Sequence, residues 1–397
     1  MKKISSWSLV VKKILYLSVF LVVFNQVFIQ NAFDGSEKKY KFMKVPTNIY
    51  PGGDSRNIQK AAFCYSYGHD YYSENECYKN NSLITNFYTD AEITPAYNYP
   101  RVVADTYRIF ANSSEEFFQK FWIFNSIFFL ITVLIYSYKI NYLLFPAIIF
   151  SPVSLLLVER GNIDAIAFSI LFLSLILTSS IFLRVIFIGL ASSIKLFPIV
   201  GFLTMYKKKN YATKQFFMGL LLALPLIFYA FLSIQYIITS TSYGFGASFG
   251  LFSLPNAPFF EDHLFLTYGL LALYLILSSS LIFLISKTPG FLDPLMSNIK
   301  KLNKLKLDIL IISSIIYISI FLLLTSWAYR LIFIIPIFLI LSNFRDFISK
   351  ITFGLILLIF WIPLLPYGWI YFNLLNYALL PLIILIFMHS YKYYYFK

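Results

Sequence analysis

Apolar runs close to the length of a membrane-spanning helix recur along this chain, near 14–30, 119–138, 141–158, 164–180, 214–238, 264–286, 307–325, 351–366 and 369–389, with short basic or polar connectors between them. A helix needs about 20 apolar residues to cross a hydrocarbon core of about 30 Å. In that core only helices and closed barrels satisfy every backbone N–H and C=O, and runs of this length read as helices. An all-α polytopic membrane protein is expected. Composition agrees, since 59% of the 397 residues are hydrophobic and 13% are charged, against roughly 45–50% and about 25% in soluble domains. One integral domain over 1–397, carrying one inserted polar loop over 31–118, is the expected organisation.

The formal net charge of +14 raises nucleic acid as a partner. The basic residues instead sit in short clusters between apolar runs, where they hold connectors on the cytoplasmic side. Lys2, Lys3, Lys12 and Lys13 precede the first run, so the N-terminus is expected in the cytoplasm, and an uncleaved first helix is favoured over a signal peptide. Lys139, Arg184, the Lys300–Lys306 cluster, Arg345, Lys350, Lys392 and Lys397 mark further cytoplasmic points, the C-terminus among them. A multi-pass protein of the cell membrane is expected. Between Arg184 and Lys207 a single span would put basic flanks on both sides, so this stretch reads as a hairpin of two short helices with Lys195 and Pro198 at its outer apex. With the hairpin counted as two and a short run at 331–342, about twelve crossings are expected.

The loop 31–118 holds 11 of the chain's 18 acidic residues against 9 basic ones. Its tyrosines, among them Tyr65, Tyr72 and Tyr99, suggest short amphipathic helices on the bilayer face. Cys64 and Cys77, the only cysteines, lie in it; a disulfide and two free thiols are both open. Three histidines without ligand spacing give no case for a structural zinc site. Outside the loop, Glu159, Arg160, Asp164, Lys195, Glu261, Asp262 and Arg330 fall at outer helix ends, where charge is expensive and marks a functional candidate.

The order of motifs resembles the GT-C superfamily of polyprenyl-phosphate-sugar-dependent glycosyltransferases, and is most similar to glycosyltransferase family 87. Asp54 follows the first apolar run, then Gly68-His69-Asp70-Tyr71-Tyr72 stands where that family tends to have Gly-x-Asp-Pro-Tyr. Tyr97-Asn98-Tyr99-Pro100 stands in place of a Tyr-Pro-Pro element. Glu159-Arg160-Gly161-Asn162-Ile163-Asp164 is similar to the start of the family's fourth helix, and Lys195-Leu196-Phe197-Pro198 to its Lys-x-x-Pro hairpin. The likeness covers residues 10–215; Tyr71 and Arg101 depart from it where prolines are usual. It implies a GT-C-like bundle of about twelve spans with a large first extracytoplasmic loop. It also implies a hexosyl- or mannosyltransferase that uses a polyprenyl-phosphate sugar and a lipid-linked or surface glycan acceptor.

These residue types suit that chemistry. A carboxylate within hydrogen-bond reach of the acceptor hydroxyl acts as general base, and Asp54 is the leading candidate over Asp70; on the plainer reading Asp54 is a solvated turn residue in Pro51-Gly52-Gly53-Asp54-Ser55 and Asp70 a helix-cap or turn residue. Cations stabilise a departing phosphate. Lys195 is the first choice, with Arg330 and Arg160 behind it, and Arg56, Asp70, Asp164 and Tyr99 complete the candidate binding residues. The plainer readings are snorkelling for Lys195, a helix-end anchor for Arg330, and a pair with Glu159 or Asp164 for Arg160. No metal site is expected, although Asp54, Asp70 and Glu74 leave a divalent cation open. A polysaccharide polymerase and a transporter of lipid-linked sugars are the rivals; the slightly acidic loop speaks against the first and the lack of internal repeats against the second.

Overall fold

The structure, a computed structural model, describes residues 53–66, 99–109, 115–205, 210–235, 248–251, 264–323, 326–365 and 368–395, with Ser18, Tyr72, Ile237 and Ser253 described singly. The first apolar run apart from Ser18, and Asp70, Glu74, Cys77, Glu261 and Asp262, lie outside these residues, as do the side chains of Arg56 and Cys64.

Two amphipathic helices come first, α1 (Gly53–Ser66) and α2 (Arg101–Arg108). Ile58, Ala61 and Ala62 of α1 pack against Val103, Ala104 and Tyr107 of α2, which leaves Arg101 and Arg108 toward the outside of the pair. Arg108 lies over the Tyr65 ring at 5.0 Å and Arg101 over Tyr72 at 5.9 Å. These loop tyrosines thus serve cations of their own helix pair.

The bundle begins with α3 (Glu115–Ile140), then α4 (Phe145–Ile149) and α5 (Pro152–Arg160), a pair bent by 60°. The break falls where Pro152 cannot continue a helix and the Ser151 hydroxyl caps a new one. Gly161, with φ of 60°, ends α5 in the left-handed region and turns the chain into α6 (Asp164–Leu177).

The hairpin follows as α7 (Ile181–Ile194), an extended Lys195, a tight 3-10 turn Phe197–Gly201 opened by Pro198, and α8 (Phe202–Met205). Gly201 lies against Ile188, so the second leg runs back along α7. α9 (Asn210–Phe231) packs parallel to α7 at two glycines. A Cβ on Gly189 would overlap Ala223, and one on Gly219 would meet the Phe182 carbonyl at 2.8 Å. Small residues allow such backbone approach, a common basis of helix packing in membranes.

The remainder comprises β1 (Ser248–Phe249), α10 (Leu264–Lys287), α11 (Asp293–Lys300), α12 (Lys304–Leu323), β2 (Ser326–Trp327), a 3-10 stretch Ala328–Ile334, α13 (Ile335–Leu341), α14 (Phe347–Trp361) and α15 (Gly368–Tyr395). The strands form one antiparallel pair with Phe249 opposite Ser326. Tyr377 of α15 secures β1 and its continuation by donating to the carbonyls of Gly250 and Leu251.

The protein is a multi-pass helical membrane protein. Six helices among the described residues are long and apolar enough to cross a membrane, or seven if the bent pair α4–α5 counts as one span. The expected first span, over the run near 14–30, lies outside the described residues apart from Ser18 and is not in this count. α6 and α7, at 14 residues each, rise only about 21 Å, short of a straight span. Both are buried in the bundle, where short or broken helices are tolerated because protein surrounds their ends.

Polar contacts define two ends. At one, Asn141 after α3 donates to Ser342 after α13, Asn298 of α11 to Asp346, and Arg184 of α7 to Asp308 of α12. Lys139, Lys300, Lys301, Lys304 and Arg345 are sequence neighbours of these contacts, so basic connectors gather there. The opposite end holds α1, α2, the Gly161 turn, Lys195 and Arg330.

Candidate functional site

Six elements meet at that second end. Gly161 aims the connector into the bundle, and three side chains pin it: Trp122 donates to the Val158 carbonyl, Asn125 to the carbonyls of Gly161 (3.3 Å) and Asn162 (2.9 Å), and Ser55 to Gly161 (2.5 Å). The turn thereby joins α1, α3 and α6. Its buried Asn162 donates to Asp54 Oδ2 at 2.5 Å and to the Tyr99 hydroxyl at 3.1 Å, while its Oδ1 accepts the Asp164 N–H at 2.8 Å.

Asp164, the first residue of α6, is fully buried and faces two cations. Lys195 Nζ lies 3.4 Å from Oδ1, and Arg330 Nε donates to Oδ2 at 3.3 Å. A carboxylate in the first turn of a helix also gains from the helix dipole. Lys195 Nζ stands 4.0 Å above the Tyr99 ring, and the Arg330 guanidinium lies 6.0 Å from the Phe197 ring. Both contacts suit cations held away from water. Arg160 pairs with Glu159 at 3.3 Å. Tyr329 is buried within electrostatic reach of Asp54, Asp164 and Arg330.

Asp54, at the start of α1, is half-buried, and its surroundings pull its acidity in opposite directions. Burial raises its pKa from the ordinary 3.8, and the Asp164 charge adds to this; Arg160, the Asn162 hydrogen bond and Lys195 pull it down, and the net direction is up. Asp54 therefore holds a proton more firmly than an ordinary surface carboxylate does.

The structure brings together Asp54, Tyr99, Arg160, Asp164, Lys195 and Arg330 from five separated stretches of sequence. Lys195 and Arg330 are both buried against Asp164. Arg160 does make the local pair with Glu159. Arg56, Asp70, Glu74 and the pairing of Cys64 with Cys77 fall outside what is described. No group of three His, Cys, Asp or Glu side chains is gathered as metal ligands among the described residues.

Sequence reasoning passed over Asn162, Tyr329, Asn125 and Ser55. Asn162 stood inside the polar knot after α5, where Gly161-Asn162 ahead of an apolar run is itself a turn and capping signal. The other three carry no pattern visible in sequence. No protein-family model and no curated protein matches the chain.

Proposed function

We propose that this protein is a membrane glycosyltransferase of the GT-C kind, moving one hexosyl unit, such as mannose, from a polyprenyl-phosphate carrier to a lipid-linked or cell-surface glycan. The observation that supports this reading is a half-buried carboxylate, Asp54, in one polar cluster with two buried cations, Lys195 and Arg330. Asp54 takes the proton of the acceptor hydroxyl as that oxygen forms its bond to the anomeric carbon. The bond from that carbon to the phosphate oxygen breaks, and the electron pair leaves with the polyprenyl phosphate. Lys195 and Arg330 stabilise the charge that grows on the phosphate, an effect that is large in a water-poor site.

The raised pKa of Asp54 suits a base, because proton affinity closer to the working pH gives stronger drive for proton transfer. With the basic connectors of the opposite end read as cytoplasmic, the cluster faces the outer side of the plasma membrane in this proposal. There a lipid-linked donor presents its headgroup without needing a nucleotide site.

The test is release of free polyprenyl phosphate from a radiolabelled polyprenyl-phosphate sugar by the purified protein with a glycan acceptor. Wild type is expected to release it, and Asp54→Asn is expected to reduce release to background while expressing normally. Full activity in the variant removes Asp54 from the mechanism. Vesicle uptake of labelled lipid without turnover would favour transport.

A further inference from the structure

We propose that Asn162 is the positioning residue of this site, holding Asp54 and the Asp164 counter-ion in one fixed geometry through the two ends of its amide. The inference rests on Asp54 being the base of the proposed transfer.

The amide cannot be turned over. Its nitrogen has two hydrogens and two acceptors, Asp54 Oδ2 at 2.5 Å and the Tyr99 hydroxyl at 3.1 Å, and its oxygen accepts the Asp164 N–H at 2.8 Å. A flip would set an oxygen against the Asp54 carboxylate and an NH2 against a backbone N–H, both repulsive. The backbone is fixed as well, by the left-handed Gly161 before it and by Asn125 donating to its carbonyl. Asn162 itself is buried.

Those three bonds join the two halves of the chemistry. Asp54 and Tyr99 lie on the side of the amide nitrogen, and Tyr99 carries Lys195 on its ring face. On the side of the oxygen, Asp164 holds Lys195 and Arg330. A single side chain thus sets the spacing between base and cations. Placement errors of about 1 Å cost on the order of 100-fold in rate, so a rigid spacer has a catalytic consequence that packing alone would not give.

The charged and titratable groups facing Asp54 are Arg160 from α5, Asp164 from α6, Lys195 after α7, Tyr99 before α2 and Tyr329 after β2. All remain when Asn162 is changed. What is lost is a hydrogen bond to the ionised carboxylate, and with it one of the influences that lower its pKa.

The experiment has two readouts on protein in lipid nanodiscs. Asn162→Ala is expected to lower kcat by on the order of 100-fold, to leave the KM for the polyprenyl-phosphate sugar within about threefold, and to move the acid limb of the pH–rate profile upward. Asn162→Asp preserves side-chain size and the cap on Asp164 while replacing the donor with an acceptor. Its acid limb is expected to move further up, because two adjacent carboxylates share a proton. The second readout needs no turnover: the rise in melting temperature produced by Asp54→Asn near neutral pH is compared with and without Asn162→Ala. A larger rise in the Asn162→Ala background is expected. Equal rises together with an unmoved acid limb overturn the positioning role. If wild type shows no transfer yet the melting cycle shows the coupling, the proposed function fails and the positioning of Asp54 stands.

Discussion

Two buried ionic groups lie at opposite ends of the same three helices, and they are built to different standards. At one end Arg184 donates to Asp308 at 2.7 Å, to the Thr178 carbonyl at 2.8 Å and to the Leu175 carbonyl at 3.1 Å. One cation meets one anion, and the guanidinium also caps the C-terminus of α6, where the dipole favours positive charge. At the other end Asp164, the first residue of α6, is shared by two cations at 3.4 and 3.3 Å, with a second carboxylate, Asp54, half-open beside them. α6 and α7 each span the distance between the groups, and α12 leads from Asp308 toward Arg330. The first arrangement is a staple, closed on itself. The second has Asp164 shared by two cations in a desolvated site, an arrangement that costs stability and marks this end as the functional-site candidate.

The largest expected difference between the two ends is in activity. Asp54→Asn removes the proposed base and is expected to lower transfer by about 10²–10⁴-fold, whereas Asp308→Asn is expected to leave the rate unchanged in whatever fraction of protein is folded. Radiolabel release normalised to folded protein checks both. Next is Lys195→Met, which keeps much of the side-chain volume and removes one of the two cations proposed to stabilise the phosphate. A loss of about 10²–10³-fold is expected, and an unchanged rate would reduce Lys195 to a partner of Asp164.

Stability should reverse the ranking. Asp308→Ala leaves Arg184 buried without its anion, a loss of roughly 3–5 kcal/mol measurable as a lowered melting temperature in detergent. For Asp54 the sign is opposite. Its folded pKa lies above the unfolded value of 3.8, so its favourable contribution is full below that value and is lost as pH rises through the folded pKa. At neutral pH the ionised group is a cost, and Asp54→Asn is expected to melt at or above the wild-type temperature. The smallest effect is expected at Gly161→Ala, where a Cβ at φ of 60° costs about 1–2 kcal/mol; melting and turnover should fall together.

Part of the site was legible in the sequence because charge in an apolar chain has few neutral explanations. Asp164, Lys195 and Arg330 stood out for that reason, Asp54, one of 11 acidic residues in the polar loop, stood out through the family resemblance, and the hairpin followed from basic flanks that one span could not reconcile. The fold was legible as apolar runs, and the short α7 followed from the hairpin; α6 read as a crossing but is a short helix inside the bundle, because hydropathy does not separate a buried short helix from a lipid-facing span. The Arg184–Asp308 staple was missed because Arg184 read only as a cytoplasmic marker and Asp308, at the start of the 307–325 run, drew no reading of its own. Asn162 was missed as a partner because a neutral amide gives no signal until its three contacts are seen.

If the Asp54 end is the working end, as proposed, turnover and melting measured together on one sample of Asp54→Asn will separate. The expected result is release of polyprenyl phosphate at background with a melting temperature equal to or above wild type. Wild-type release, or lost release accompanied by a melting temperature as low as that of Asp308→Ala, would contradict it.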